Sequence, residues 1–388
     1  MLTCALQVAL VGLGKTIDHV ALGMPFTDLM WRDMLDHYSE MFAAMGLESV
    51  PDKQWQFHPL DGYYESVAAS LPEVDLTNLY MISGSNQPLH QNPEALAVSR
   101  NVNSKLHFAE HAPAAGLPVP RTEVHSKRAI REGEAGGLFS ELPNGVMVKL
   151  LGLAGSRNVF AVESVEDCLD QIAEYDDDVK ILLQEKLDIS RWREMTVDLT
   201  ITSQEISISN VRQILFAGGK WVGNYISPEL EVPEAHRAVL MQVGAYARDH
   251  GHVAEEGINC GIDYFVSGDE VIVTEINARW TGGLFPAEFL RRLGITEPAV
   301  AFFDMVSVAQ RDAVRAFQRE HLFPAEGDAF AYVPMGFTPF AMEIEGSERY
   351  FVWQIVVGDF AAFVEAKRQA LTEDAFPTAD LILQEALS

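Results

Sequence analysis

The sequence predicts a mixed α/β (α+β) protein. Three observations predict it. Strand-like apolar runs alternate with helical periodicity through the first half of the chain. Three short strands then follow one another across 195–225, and a hairpin signal closes the region at 263–279. The 388 residues are 48% hydrophobic, enough for a sizeable core, and the length allows roughly two to four domains or subdomains.

Taken in order, residues 5–14 read as a buried strand running into a glycine turn. That turn, Gly12-Leu13-Gly14-Lys15-Thr16, invites a P-loop assignment, but Ala9 stands where the P-loop needs its first glycine, and the match fails. A helical period covers 29–45, and 78–83 reads as a short strand ending in a polar loop over 84–93. Residues 1–100 are thus expected as a small α/β domain. A helix is expected over 101–115, stopped by Gly116-Leu117-Pro118-Val119-Pro120.

A strand over 145–151 leads into the loop Gly152-Leu153-Ala154-Gly155-Ser156-Arg157-Asn158 and a second strand over 159–162. Ser164, with Asp167 three residues on, caps a helix reaching about 175, and a strand follows over 180–187. Stretches 195–209, 211–216 and 220–225 read as an antiparallel meander, followed by a helix over 235–250. After the hairpin come the Gly282-Gly283 turn and a helix over 286–293. Units are expected over 101–194 and 195–310, with a mixed segment over 311–388 carrying strands near 329–334 and 351–357.

The formal net charge is −28 and the pI about 4.6. This argues against nucleic acid, which needs a basic footprint, and against an anionic membrane surface. Three widely spaced cysteines, Cys4, Cys168 and Cys260, resemble no zinc knuckle and fit a reduced, cytoplasmic compartment. The apolar start has no basic flank and no small-residue cleavage signature, so a signal peptide is not expected. His19, His37 and His58 have no metal-ligand spacing.

The hairpin carries the densest chemistry. With a loop over 268–270, Asp263 falls across from Glu275, and Asn277 and Arg279 share that face. Phe265, Val271 and Val273 are expected to make the rest of the face apolar. Two opposed carboxylates repel across a strand pair, and a hard cation removes that cost. An all-oxygen donor set suits Mg²⁺ (or Mn²⁺) bound together with a phosphate, and the Arg279 guanidinium suits an anionic oxygen. Lys149 interrupts an apolar strand, where a charge must be paired or meet an anion. The loop after it can offer backbone N–H groups and the Ser156 hydroxyl to a phosphate.

The ordered set resembles the ATP-grasp superfamily, most like its carboxylate–amine ligases, over 101–293. The resemblance implies an ATP-grasp fold with an N-terminal α/β domain before it and a C-terminal mixed segment after it. Lys105, with the Gly-Leu-Pro-Val-Pro turn, resembles the first phosphate lysine. Lys149 and the Gly155-Ser156 loop resemble the second lysine and its flexible loop. Gln184, Glu185, Lys186 and Leu187 resemble the adenine hinge, and Glu194 the ribose ligand. Asp263, Glu275 and Asn277 resemble the Mg²⁺ ligands, and Arg279 completes a Glu-x-Asn-x-Arg pattern.

There are departures. The 188–193 segment lacks a glycine and is about two residues long for the pattern, and Gly261 stands where some dipeptide ligases carry an arginine. Arg212 is the candidate to replace it. The resemblance implies an ADP-forming ligase that joins a small carboxylate to an amine through an acyl phosphate, with amino acids or small peptides as the best specific guess for the substrates. Lys149, Arg212 and Arg279 would act on the reacting groups, and Gly282 and Gly283 would let a substrate approach the backbone. The same scaffold with a non-amine acceptor would be a kinase or acyl-thiol ligase. A non-catalytic ATP-binding regulator is the third reading. The 311–388 segment is expected to serve as a lid or as the interface of a homodimer.

Overall fold

The computed structural model describes residues 2–70, 89, 92–142, 144–151, 159–217, 220–325, 327–372 and 375–387. The strand expected over 78–83 and the 152–158 loop, with Gly155 and Ser156, lie outside the described residues. Strands β1 (Val20–Gly23) and β2 (Trp55–His58) form a parallel pair, joined by a crossover containing the helix Leu29–Ala44. A four-stranded antiparallel sheet comprises β3 (Thr122–Ser126), β4 (Val146–Leu150), β5 (Val159–Val162) and β6 (Lys180–Glu185), in the order β3-β6-β4-β5.

The largest sheet is antiparallel throughout. It contains β7 (Arg193–Ile201), β8 (Ile206–Ala217), β9 (Lys220–Ile226), β10 (Ile258–Ser267), β11 (Glu270–Asn277), β12 (Ala299–Ser307), β13 (Phe330–Phe337), β14 (Met342–Ile344) and β15 (Ser347–Gly358). Its order is β11-β10-β7-β8-β9-β12-β15-β13, with β14 on β15. The 311–388 segment therefore continues the sheet that holds the hairpin, and the position between 310 and 311 falls between two of its strands.

Several expectations need correction. Residues 5–14 are not a strand: Leu2–Leu13 is a helix. An unbroken apolar run has no period to separate buried helix from buried strand, and here Ala5, Val8, Ala9 and Val11 are all fully buried. The helix lies on β13, where a Cβ on Gly336 would sit 2.2 Å from the Ala5 carbonyl oxygen. The helix over 101–115 is two shorter ones, Pro93–Val102 and Lys105–His111; Ser104 caps the second by accepting from His107 N–H at 3.2 Å. The stretch 195–209 is broken by a turn in which Thr202 N–H donates to Glu205 O at 2.9 Å.

Three cores organise the chain. One joins residues 4–55 to the segment 285–382, so both ends of the sequence share one interior. A second lies behind β7, β10 and β11 under the helix Glu234–Asp249. The third fills the four-stranded sheet.

Candidate active site

Asp263 pairs with Glu275, but not through the loop length assumed above. The turn is two residues, since Ser267 faces Glu270, and a bulge between Asp263 and Tyr264 restores the register. The extra residue on β11 reverses the side-chain phase below it. Val271 and Val273 therefore turn into the core behind the sheet, opposite to the expected face, while Phe265 stays beside the carboxylates.

Asn277 Nδ2 donates to Asp263 Oδ2 at 3.0 Å, and Arg279 Nη2 donates to Asn277 Oδ1 at 2.7 Å. The alternation of these residues on β11 thus becomes a hydrogen-bonded chain from Asp263 to Arg279. Lys105 stands in the first turn of its helix and forms an ion pair with Glu275. Asn103, just before it, donates to the Ala278 carbonyl at 3.0 Å and ties that helix to the end of β11.

Lys149 is buried on β4, between β5 and β6. Burial, and then the Lys105 charge, pull its pKa down to about 8 against the attraction of Glu275, Glu194 and Asp263. Burial and the Glu275 charge push the Asp263 carboxyl up to about 6. Burial also pushes Glu275 up, but Lys105 and Lys149 outweigh it and hold that carboxyl below its ordinary range. Glu194 rises to about 7, through burial and then Asp263.

One cavity of about 400 Å³ collects these groups. Lys105, Lys149, Gln184, Glu185, Lys186, Leu187, Glu194, Arg212, Asp263, Glu275, Asn277, Arg279, Gly282 and Gly283 all line it. Gln184 Nε2 donates to Thr122 Oγ1 at 3.0 Å and pins the strand end, while Lys186 N–H donates to the Gly145 carbonyl at 3.3 Å. Gly145 has φ +86°, and a Cβ there would sit 2.8 Å from the Val162 carbonyl oxygen, so this turn requires glycine.

Arg212 is fully buried and its charge is already matched. Nη1 donates to Asp198 Oδ2 at 2.5 Å, and Nη2 to Thr281 Oγ1 at 3.2 Å. A Cβ on Gly283 would sit 2.4 Å from Arg212 Nε, so this glycine makes room for the guanidinium; Gly282 has open space above it. A side chain at Gly261 would meet Thr281 Cγ2 at 2.2 Å, which leaves no room for the arginine absent there.

Strand alternation could have found Thr196 beside Glu194, and Ile214 and Phe216 beside Arg212, all of which line the cavity. Leu6, Trp221, Asn224, Phe303 and Trp353 also line it, and they come from segments with no common spacing to announce them. Among the described residues no group of three or more His, Cys, Asp or Glu is placed to hold a metal. The donor set is instead two opposed carboxylates and an amide, all oxygen, with Lys105 supplying the positive charge at Glu275. That set fits a Mg²⁺ ion shared with phosphate oxygens.

No protein-family model matches the sequence, and no curated protein matches it in sequence. Solved structures do match. The biotin carboxylase domain dimer of Hydrogenobacter thermophilus 2-oxoglutarate carboxylase, in complex with MgADP, ADP and bicarbonate, superposes with a TM-score of 0.55 and 12% identity, over 81% of this chain and 79% of that one. Phosphoribosylamine–glycine ligase of Thermotoga maritima gives 0.51 and 14%, over 90% and 94%. An ADP complex of N5-carboxyaminoimidazole ribonucleotide synthetase gives 0.50 and 14%, over 93% of each chain. This is an ATP-grasp fold. Lys149, Gln184 and Glu185 come from the four-stranded sheet, Lys186 and Leu187 follow its strand β6, and the carboxylates come from the large sheet. Among the described residues no helix is long and apolar enough to cross a membrane.

Proposed function

We propose that this protein is an ATP-dependent ligase that joins a small-molecule carboxylate to an amine and releases ADP and phosphate. The observation that carries the reading is the convergence of Lys105, Lys149, the hinge, Glu194 and the Asp263–Glu275–Asn277–Arg279 chain on one cavity. The neighbouring structures with bound ADP or MgADP support a nucleotide there.

Glu185 and the Lys186–Leu187 backbone would meet the adenine base, and Glu194 the ribose hydroxyls. Asp263, Glu275 and Asn277 would hold Mg²⁺, which supplies charge neutralisation at the β- and γ-phosphate oxygens. In the first step a substrate carboxylate oxygen attacks the γ-phosphorus; the new O–P bond forms as the bond to the ADP oxygen breaks. Lys105, Lys149 and Arg279 stabilise the charge spread over the transferring group, where positioning and electrostatics dominate. In the second step the amine nitrogen attacks the acyl carbon, phosphate leaves with the C–O bond pair, and the amine gives up its proton. With Glu275 engaged in holding a cation, Lys105 would be free to meet a phosphate instead.

Arg212 would act by positioning β8 and Gly283, since Asp198 holds its charge. We assign the protein to a reduced cytoplasm, which suits its three buried, free cysteines, and to a homodimer built through the 311–388 segment.

The test is nucleotide consumption with Mg²⁺ against pooled amino acids and small carboxylic acids, with product masses read in parallel. The expected result is ADP, phosphate and a product weighing the two substrates less one water. Release of AMP would overturn the acyl-phosphate route.

A further inference from the structure

We infer that the aromatic end of the cavity, on β8, β9, β12 and β15, receives an apolar, ring-sized body of the carboxylate substrate. This rests on the ligase reading and narrows its substrate class. Across the large sheet the lining changes from ionic to aromatic. Glu275, Asp263 and Glu194 stand on β11, β10 and β7, and Arg212 on β8. Beyond them come Ile214 and Phe216 on β8, Trp221 on β9, Phe303 on β12 and Trp353 on β15, with Leu6 reaching in from the first helix.

The aromatic rings are already ordered. Phe303 and Trp353 stack with centroids 4.8 Å apart and an interplanar angle of 12°, and Trp221 leans on Phe303 at 5.9 Å. Trp353 is 2% exposed and fixed in the core, whereas Phe216 is 36% exposed at the rim. A flat guest can lie on such a wall with little ordering cost, because the wall side chains are held before it arrives.

The charges at this end point the same way. Among the described residues of this wall there is no Lys, Arg or His, and Asn224 is the polar group. A phosphorylated or polyanionic body would be desolvated there without a cation. Of the cationic groups in the cavity, Arg212 is bound by Asp198, and Arg279 reaches back to Asn277 in the carboxylate chain. A substrate with its carboxylate toward Arg279 and its body toward Trp221 satisfies both ends of the cavity.

Titration calorimetry with MgADP present tests this, using 3-phenylpropionate, acetate and ribose 5-phosphate as probes and measuring MgADP alone in parallel. The aryl acid is expected to bind roughly tenfold or more tighter than either other probe. Trp221→Ala and Phe216→Ser should each remove about tenfold of that affinity, with MgADP binding as in the parent. Ribose 5-phosphate binding as tightly as the aryl acid would overturn the inference. So would aryl affinity unchanged in both variants while they still bind MgADP. Loss of MgADP binding in the parent would overturn the ligase reading instead, and the aryl-acid titrations without nucleotide would still decide the aromatic wall.

Discussion

Two charged clusters sit on neighbouring strands of one sheet and are built on opposite principles. Asp198 and Arg212 are both fully buried, one negative charge against one positive. Asn259 Nδ2 also donates to Asp198 Oδ1 at 2.9 Å, and Thr281 links the two partners. In the other cluster Asp263 and Glu275 oppose each other with Glu194 nearby, and the Asp263, Glu194 and Lys149 pKa values are all displaced toward neutrality. The first cluster is charge-matched within the chain. The second leaves like charges facing across a strand pair, and a ligand would complete it. Charge that the fold satisfies supports the site, and charge that it leaves in conflict marks where the chemistry belongs.

Breaking the charge-matched cluster should cost stability first. Asp198→Ala leaves the Arg212 guanidinium buried without its partner, a loss of about 3–5 kcal/mol. Chemical denaturation should show it as a lowered midpoint. An unchanged midpoint would mean that Asp198 and Arg212 do not form a buried pair in solution.

Breaking the open cluster should cost activity first. Glu275→Gln keeps the shape but takes the partner from Lys105, and a carboxyl held below its ordinary range supports the fold as an anion, so the midpoint should fall, by less than for Asp198→Ala. Turnover should fall roughly a thousandfold, matching several kcal/mol of metal-dependent charge stabilisation. Near-full ATP consumption by purified Glu275→Gln would sink the metal assignment.

Lys149→Ala should weaken ATP binding by roughly 10- to 100-fold, the worth of a hydrogen bond to a charged group. The smallest expected effect is on pH dependence. With its pKa lowered to about 8, Lys149 is charged below that pH and loses its proton above it. ATP affinity of the free protein should therefore fall as pH rises through about 8. Lys149→Arg, which stays charged, should lack that alkaline limb. On the acid side, Asp263 binds a proton below about 6 and should then lose its hold on Mg²⁺. A nucleotide affinity flat from pH 7 to 9.5 in the parent would remove Lys149 from the phosphate site.

Much of the site was legible because strand alternation is a local rule. Glu275, Asn277 and Arg279 recur every second residue, and the turn after Ser267 places Asp263 opposite within one residue. The bulge was not legible, since an inserted residue alters phase without altering composition, and so Val271 and Val273 were placed on the wrong face. Lys105 gave little local signal, because its partner Glu275 lies far along the chain.

By itself, then, the sequence determined the mixed α/β class and the hairpin with its alternating Glu275, Asn277 and Arg279, which rest on periods of two or 3.6 residues and on short spacings. Only the tertiary structure decided that residues 2–13 are a helix, that the segment after 311 extends the same sheet, and that Arg212 is neutralised by Asp198. It alone brought Leu6, Trp221, Phe303 and Trp353 to one wall. The physical reason is that burial and pairing across a sheet are set by residues far apart in sequence, and no local pattern encodes which distant strand will lie alongside.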